Sequence, residues 1–188
     1  MEENFRMIAK CFFGFEEILE KELRDLGAQD VEKGVRMVSF KGDKGFMYKA
    51  NLSLRTALKV LKPIYSFRAN NEQALYKGIS GVNWSKLLNA NQTFVIDATV
   101  HSTYFNHSEF VSQKCKDAIV DQFRERTGQR PSIDKAFPDL RINVHIDKDQ
   151  VSVALDTSGN SLHQRGYRTA TNIAPINEVL AAGILLLS

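Results

Sequence analysis

Residues 5–26 read FRMIAKCFFGFEEILEKELRDL, and their hydrophobic period changes at Gly14. In residues 5–11 every second side chain is apolar, which is typical of a strand with one buried face. From residue 14 to residue 26 the apolar side chains follow helical spacing, and Gly27 comes next as a C-terminal cap. The stretch therefore predicts a β-strand followed directly by an amphipathic helix.

The next forty residues complete a recognisable order of elements. Two extended runs, residues 30–33 and 35–41, pivot on Lys33–Gly34, and Asp43 opens a short helix. Residues 56–64 predict a further strand, with a proline near its end. The resulting order β-α-β-β-α-β is that of a ferredoxin-like fold. Because this fold carries many unrelated functions, it names none by itself.

Beyond residue 66 the chain predicts a second α/β section. Its elements are, in order, a helix at 70–79, a helical turn at 84–88, a strand at 93–101, a helix from Val111 to the capping Gly128, and a hairpin of strands 140–146 and 151–155.

The last residues form a strongly apolar run with no stopping signal. Pro175 marks the predicted start of a helix that continues to Ser188. The run is too short to span a bilayer, which needs about 20 apolar residues. We expect either a chain cut at the start of another domain or a helix that docks elsewhere on this chain.

Composition excludes several classes of protein. The 188 residues are 43% hydrophobic and 25% charged, which excludes a disordered, collagen-like or disulfide-scaffold protein. Cys11 and Cys115 lie far apart and no signal-peptide pattern precedes them, so we expect reduced thiols in a cytoplasmic protein. The net charge of +3 is compatible with nucleic-acid binding but does not require it.

Motifs for catalysis are missing from the sequence. No G-x-G pair, phosphate loop or G-x-S-x-G elbow is present, and the four histidines are too isolated for a metal-ligand spacing. We therefore expect no catalytic residue, no cofactor site and no metal site in this chain.

A group of cations in the second section is the strongest functional signal. Lysine and arginine side chains suit phosphate contacts. The group consists of Lys114, Lys116, Arg124, Arg126, Arg130, Lys135 and Arg141, followed by Arg165 and Arg168. Acidic residues interleave with the cations of the predicted helix, so an internally paired, solvated helix face is an equally supported alternative. Arg141 is also placed to pair with Asp97 or Asp156 on neighbouring strands.

Six ordered blocks of sequence carry a resemblance to a known family. They are VSFKG (38–42), ANL (50–52), KDAIVD with FR (116–124), RPS (130–132), DLRINVH (139–145) and the stretch from Ser158 through RGYR (165–168) to Ala174–Pro175. Together they resemble the THUMP-containing N-terminal half of bacterial large-subunit ribosomal RNA guanine-N2 methyltransferases.

The resemblance implies a domain organisation of the α/β (α+β) class. Residues 1–66 would be the ferredoxin-like domain, 67–165 an RNA-binding THUMP domain, 166–174 a linker, and 175–188 the first helix of an absent Rossmann-like methyltransferase domain. S-adenosyl-L-methionine would bind that absent domain, and the C-terminal helix would pack on it.

The same resemblance, with the cation group, gives the candidate RNA-binding residues. They are Lys114, Lys116, Arg124, Arg130, Arg141, Arg165 and Arg168. The partner expected is RNA, specifically large-subunit ribosomal RNA.

Three functional hypotheses follow. We expect a non-catalytic RNA-binding module that positions substrate for a ribosomal RNA methyltransferase. A small stand-alone enzyme with phosphoryl or acyl-phosphate chemistry on the ferredoxin-like scaffold is the alternative, and a pocket with converging Arg and Asn side chains would identify it. A protein-interaction module built on the C-terminal helix is the third.

Overall fold

The computed structural model describes residues 3–166 and 175–188, and its contacts divide the chain into two compact units. The first unit comprises Met1–Lys62 and Asp156–Ser188, and the second comprises Pro63–Leu155. The elements are β1 (Phe5–Lys10), α1 (Glu16–Leu26), β2 (Gln29–Gly34), β3 (Met37–Gly42), α2 (Lys44–Ser53), β4 (Lys59–Arg68), α3 (Glu72–Ser80), a 3₁₀ turn (Trp84–Lys86), β5 (Thr93–His101), α4 (Ser108–Thr127), β6 (Ser132–Ile133), β7 (Leu140–Asp147), β8 (Gln150–Asp156) and α5 (Glu178–Leu187).

The first unit has the predicted ferredoxin-like order of elements. Its strands lie in the order β2-β3-β1-β4, and β1 pairs antiparallel with both β3 and β4. Met7 and Ala9 of β1 are fully buried beside Leu19 and Leu23 of α1, as the change of hydrophobic period predicted. The helix ends at Gly27, which adopts a left-handed φ of 97° and donates its N–H to the carbonyls of the last turn.

One strand boundary in this unit differs from the prediction. Val35 is exposed in the turn between β2 and β3, and β3 begins at Met37. Arg36 adopts a positive φ of 58°, which is incompatible with the extended run that was predicted to start at residue 35.

The chain returns to the first unit after β8. The Thr157 N–H donates to the Val60 carbonyl at 3.0 Å, and the Leu162 N–H donates to the Leu58 carbonyl at 2.9 Å. Residues 156–165, which the sequence analysis assigned to the second domain, therefore make their contacts within the first unit.

The C-terminal helix also packs within the first unit. Val179 is buried, and Gly183 lies so close to Phe15 that a Cβ at this glycine would stand 2.1 Å from the ring. The helix begins at Glu178, later than the predicted Pro175, because the Asn177 side chain caps it by accepting the N–H groups of residues 179 and 180.

The second unit is a mixed sheet with α3 and α4 against one of its faces. Strands run in the order β8-β7-β5-β6, and β5 is parallel to both β7 and β6. A parallel pair needs a crossover connection, and α4 lies in the connection between β5 and β7.

Asp139 accepts the backbone N–H and the hydroxyl of Thr93, and these hydrogen bonds hold the pKa of Asp139 below its usual range.

The core of this unit follows the predicted alternation of β7. Ile142, Val144 and Ile146 are fully buried among side chains of α3 and α4, whereas Arg141, Asn143 and His145 lie on the other face of the sheet.

Two strands of the chain differ from the prediction. The two-residue strand β6 was not predicted. β4 continues through Pro63 to Arg68, past the predicted end at residue 64. None of the helices in the described parts of the chain is long and apolar enough to cross a membrane.

Candidate nucleic-acid interface

A cleft of about 500 Å³ opens in the second unit beside strand β5. β6 pairs with β5 only at Thr93 and Phe94, so in the described residues no strand follows β6 along this edge of β5. The first half of α4 forms one wall of the cleft, and Val95, Ile96 and Ala98 of β5 form another. This volume falls within the usual range for ligand sites of roughly 300–1,000 Å³.

The cleft brings together three of the cations that the sequence analysis grouped. Lys116 projects from α4, Lys135 from the loop after β6, and Arg141 from β7. They are far apart in sequence, and the parallel pairing of β5 with β7 places Arg141 beside Val95. Asp97 and Glu109 also line the cleft, and the Asp97 carboxylate accepts from Arg141 Nη1 at 3.2 Å.

Hydroxyl groups complete the polar lining. Ser108 and Ser112 lie in the first turns of α4 and face the cleft together with Gln113. Sequence analysis singled out neither serine. Their spacing of four residues on a helix was the available signal, because such residues share one face.

Three other predicted RNA-binding residues lie outside this cleft. Lys114 forms an ion pair with Glu72 of α3, and this hydrogen bond raises the pKa of Lys114. Arg124 is 52% exposed and pairs with Asp121 on its own helix at 3.3 Å. Arg130 is exposed beyond the end of α4. The alternative of an internally paired helix face thus describes part of α4, including Lys116, which contacts Asp117 at 3.0 Å.

Arg165 occupies a different place from the cleft, in the first unit. Its guanidinium donates to three backbone carbonyls: Leu162 at 2.9 Å, Leu52 at 2.6 Å and Leu54 at 2.5 Å. The carbonyls of Leu52 and Leu54 lie at the C-terminal end of α2, where helical carbonyls lack partners and the helix dipole favours a cation. Arg168 and most of the predicted linker fall outside the described residues.

The two thiols are poorly suited to nucleophilic chemistry, and two of the histidines contact each other. Cys11 and Cys115 are buried, and burial raises the pKa of each thiol to about 12. A thiol with this pKa is almost fully protonated at neutral pH and is a poor nucleophile. His101 and His145 contact each other edge to face on neighbouring strands. Within residues 3–166 and 175–188, no group of three or more His, Cys, Asp or Glu side chains is arranged to hold a metal ion.

Comparison with protein families assigns both sections of the chain. Residues 6–61 match the RlmL ferredoxin-like domain, and residues 69–156 match the THUMP domain. Over 186 residues the chain is 44% identical to ribosomal RNA large subunit methyltransferase K/L of Syntrophotalea carbinolica. That alignment covers 99% of this chain and 26% of the relative.

Solved structures agree with this assignment. A protein described as a possible methylase from Clostridium difficile 630 superimposes with a TM-score of 0.85 at 30% identity, over 99% of this chain and 49% of that protein. SMU.472, described as a methyltransferase and solved with SAH, superimposes with a TM-score of 0.83 at 32% identity, over 100% of this chain and 50% of that protein. The chain thus spans about half the length of these solved relatives.

The two family matches agree with the fold in the order of the two sections along the chain. In order along the chain, one section matches the RlmL ferredoxin-like domain and the next matches the THUMP domain, and together they are similar to the N-terminal part of ribosomal RNA large subunit methyltransferase K/L.

Proposed function

We propose that this chain is the RNA-binding, substrate-positioning module of an S-adenosylmethionine-dependent ribosomal RNA guanine-N2 methyltransferase and does not itself catalyse methyl transfer. The observation that carries the proposal is the cleft beside β5, which gathers Lys116, Lys135 and Arg141 around one opening. Cations in a confined opening suit the phosphates of RNA, which contribute most of the affinity in such complexes.

The THUMP match and the similarity to a ribosomal RNA methyltransferase support the choice of RNA as the ligand. Large-subunit ribosomal RNA is the proposed target, and a cytoplasmic location belongs to the same proposal. S-adenosylmethionine would bind the methyltransferase domain of the longer protein rather than this chain.

The exposed last turn of α5 is a second part of the proposal. Ile184, Leu185, Leu186 and Leu187 in this turn are 40–75% exposed, whereas Val179 in the first turn is buried. A cluster of exposed apolar side chains marks an interaction surface. We propose that this last turn packs on the methyltransferase domain of the longer protein, as the lengths of the relatives suggest.

RNA binding can be measured directly by fluorescence anisotropy. A labelled, structured ribosomal RNA fragment is titrated with the chain across a salt series, with duplex DNA of equal length as competitor. We expect RNA-preferring binding whose affinity falls steeply with salt, because each phosphate contact contributes roughly 0.7–0.9 to the slope of log K against log salt.

A matched pair of double variants locates the interface. Lys116→Ala with Lys135→Ala removes two cations from the cleft, and we expect weaker RNA binding with a salt slope reduced by about 1–2. Lys77→Ala with Lys86→Ala removes the same charge from exposed positions on α3 and the 3₁₀ turn. Equal losses in the two double variants would contradict the cleft as the interface, and no RNA binding at low salt would contradict the proposed function.

A further inference from the structure

The edge of β5 beyond β6 presents backbone groups at the cleft. Each residue of a strand directs its N–H and C=O groups to one neighbour, and the next residue directs them to the other. The Phe94 carbonyl accepts the Asp134 N–H at 3.3 Å on the β6 side, so the even-numbered residues of β5 face this edge. Beyond Phe94 they are Ile96, Ala98 and Val100, and no backbone group in residues 3–166 or 175–188 pairs with these three on that side.

The cleft lies across this edge, because its lining comes from both faces of the sheet. Ile96 and Ala98 belong to the face that packs on α4, whereas Val95, Asp97 and Arg141 lie on the opposite face. A strand added beside β5 would direct its side chains alternately to the two faces. The cleft therefore has the position and the walls that one more strand requires.

The length and composition of the free edge suit such an addition. Residues 96–100 span about 13 Å at about 3.3 Å per residue, which accommodates a segment of about five residues. Proteins often protect an exposed edge with proline, lysine or a bulge, and residues 96–100 contain neither proline nor lysine. Extended peptides bind such edges through main-chain hydrogen bonds and gain specificity from alternate side chains.

The charges on the walls indicate the chemistry of the segment. Because α4 begins after the end of β5 and ends before β6, it runs back along β5. Glu109 therefore lies toward the end of β5, and Lys116 lies about 10 Å closer to its start. Lys135 follows β6, which pairs with the start of β5. Lys116 contacts the exposed Asp117 through one of its three donors, so these two lysines favour an acidic side chain near the start of the free edge.

We infer that the free edge of β5 is a docking site for an extended peptide segment of a partner protein, which adds a strand beside residues 96–100 and carries an acidic side chain toward Lys116 and Lys135. RNA suits this edge less well, because phosphates accept hydrogen bonds but offer no donors to the strand carbonyls. A second copy of the chain would bring its own α4 against the same cleft, which has room for about one strand.

The inference goes beyond the proposed function, since the docking of a peptide needs no RNA. A bound segment covers Lys116 and Lys135 and therefore excludes RNA from them. Only this exclusion rests on the proposed function.

Amide hydrogen exchange measured by nuclear magnetic resonance tests the site without RNA. The probe is the peptide acetyl-Ser-Thr-Val-Glu-Val-Thr-Ser-amide at millimolar concentration. We expect the amides of Ile96, Ala98 and Val100 to exchange roughly tenfold more slowly with the peptide, whereas those of Val95 and Thr99 face β7 and should not change. Unchanged exchange of the first three amides would overturn the docking site.

Two N-methylated forms of the peptide, modified at alternate residues, identify strand pairing. Only one set of peptide N–H groups faces β5, so methylation of that set should abolish binding and methylation of the other set should leave the affinity nearly unchanged. Equal affinities of the two forms would overturn strand addition, because contact through charge alone does not distinguish them.

A charge reversal tests the acidic side chain of the segment. Lys116→Glu should lose the glutamate peptide and bind the same peptide with lysine in place of glutamate. Lys77→Glu, at an exposed position of α3 outside the cleft, is the matched control and should bind both peptides as the wild type does. If Lys116→Glu binds the glutamate peptide as well as Lys77→Glu does, the acidic partner is wrong.

The other occupants have different signatures in the same exchange measurement. Protection of Ile96, Ala98 and Val100 that rises with the concentration of the chain alone would overturn the peptide in favour of a second copy. Protection by a single-stranded RNA 12-mer but not by the peptide would overturn it in favour of RNA. A chain that binds the peptide but no RNA at low salt would contradict the proposed function and support the docking site.

Discussion

At the scale of single residues, Arg165 is a cation whose side chain binds backbone carbonyls. Its guanidinium binds three carbonyls that come from residues 52, 54 and 162. The first two belong to the last turn of α2 and the residue that follows it, so the arginine completes the end of that helix and fastens the returning chain to it. The contacts assign Arg165 a role in stability, and they take up three of its five N–H groups.

Removing this side chain should destabilise the protein. For Arg165→Ala we expect a loss of about 1.5–3 kcal/mol, the usual contribution of hydrogen bonds to a charged group. In a chain of this size that corresponds to a melting temperature lower by about 3–12 °C. Circular dichroism measures the transition.

Two further variants make this measurement specific. Arg165→Lys should recover only part of the loss, because one ammonium group does not reproduce the planar set of N–H donors of a guanidinium. Arg130→Ala changes an exposed position and should have the same melting temperature as the wild type. A melting temperature of Arg165→Ala equal to that of Arg130→Ala would contradict the structural role.

At the scale of elements, α5 depends on one residue without a side chain. Gly183 lies against the ring of Phe15, which is itself buried. Alanine is the better helix former by about 1 kcal/mol, so local propensity would favour its replacement. The close approach of helix and ring is therefore the physical reason for a glycine within this apolar helix.

We expect Gly183→Ala to displace α5 from the first unit. The added methyl would lie 2.1 Å from the Phe15 ring, and the ring has little room to move because it is buried. Hydrogen exchange should show loss of protection in α5 with unchanged protection in α4. Leu185→Ala, at a position that is 75% exposed, is the control and should leave the protection of α5 as it is. Unchanged protection of α5 in Gly183→Ala would contradict this packing.

At the scale of the whole molecule, the second unit is an insertion in the first. The chain leaves the first unit within β4 and returns to it at Asp156. Leu162 and Leu180 then pack against the core that Met7, Phe40 and their neighbours form. The core of the second unit, in contrast, consists of residues between 64 and 153.

Truncation after Leu155 should therefore affect the two units unequally. We expect the amides of β1 to exchange faster, because the first unit loses Leu162 and Val179, while the amides of α4 remain protected. A chain that ends after Gly166 keeps the contacts of Leu162 and Arg165 and should lie between the truncated and the complete chain. Equal exchange of β1 in all three chains would show that the returning segment contributes nothing to the first unit.

The sequence predicted the strands and helix ends correctly where they depend on neighbouring residues. Alternation identified β1 and β7, and the helical glycines at 27 and 128 marked the ends of α1 and α4, because strand period and helix capping depend on neighbouring residues. β6 was missed since two residues carry no period. Its existence depends on pairing with Thr93 and Phe94.

Contacts between distant residues limited the prediction of the candidate site. Arg165 reaches carbonyls more than 110 residues earlier in the chain, and no local pattern marks that. Lys135 was noted as a cation but was left out of the predicted site, because only the packing of α4 and the β6 loop around β5 brings it to the same cleft as Lys116.

The insertion of the second unit also sets the order in which the protein is made. A ribosome adds roughly 5–20 residues per second, so residues 63–155 take about 5–20 s to emerge. During that interval β1, β2, β3 and α1 have already left the ribosome, whereas the residues of α5 that cover Phe15 have not yet emerged. The part of the first unit that emerges before the second unit is thus completed only after it, and its apolar surface faces water or a chaperone until α5 arrives.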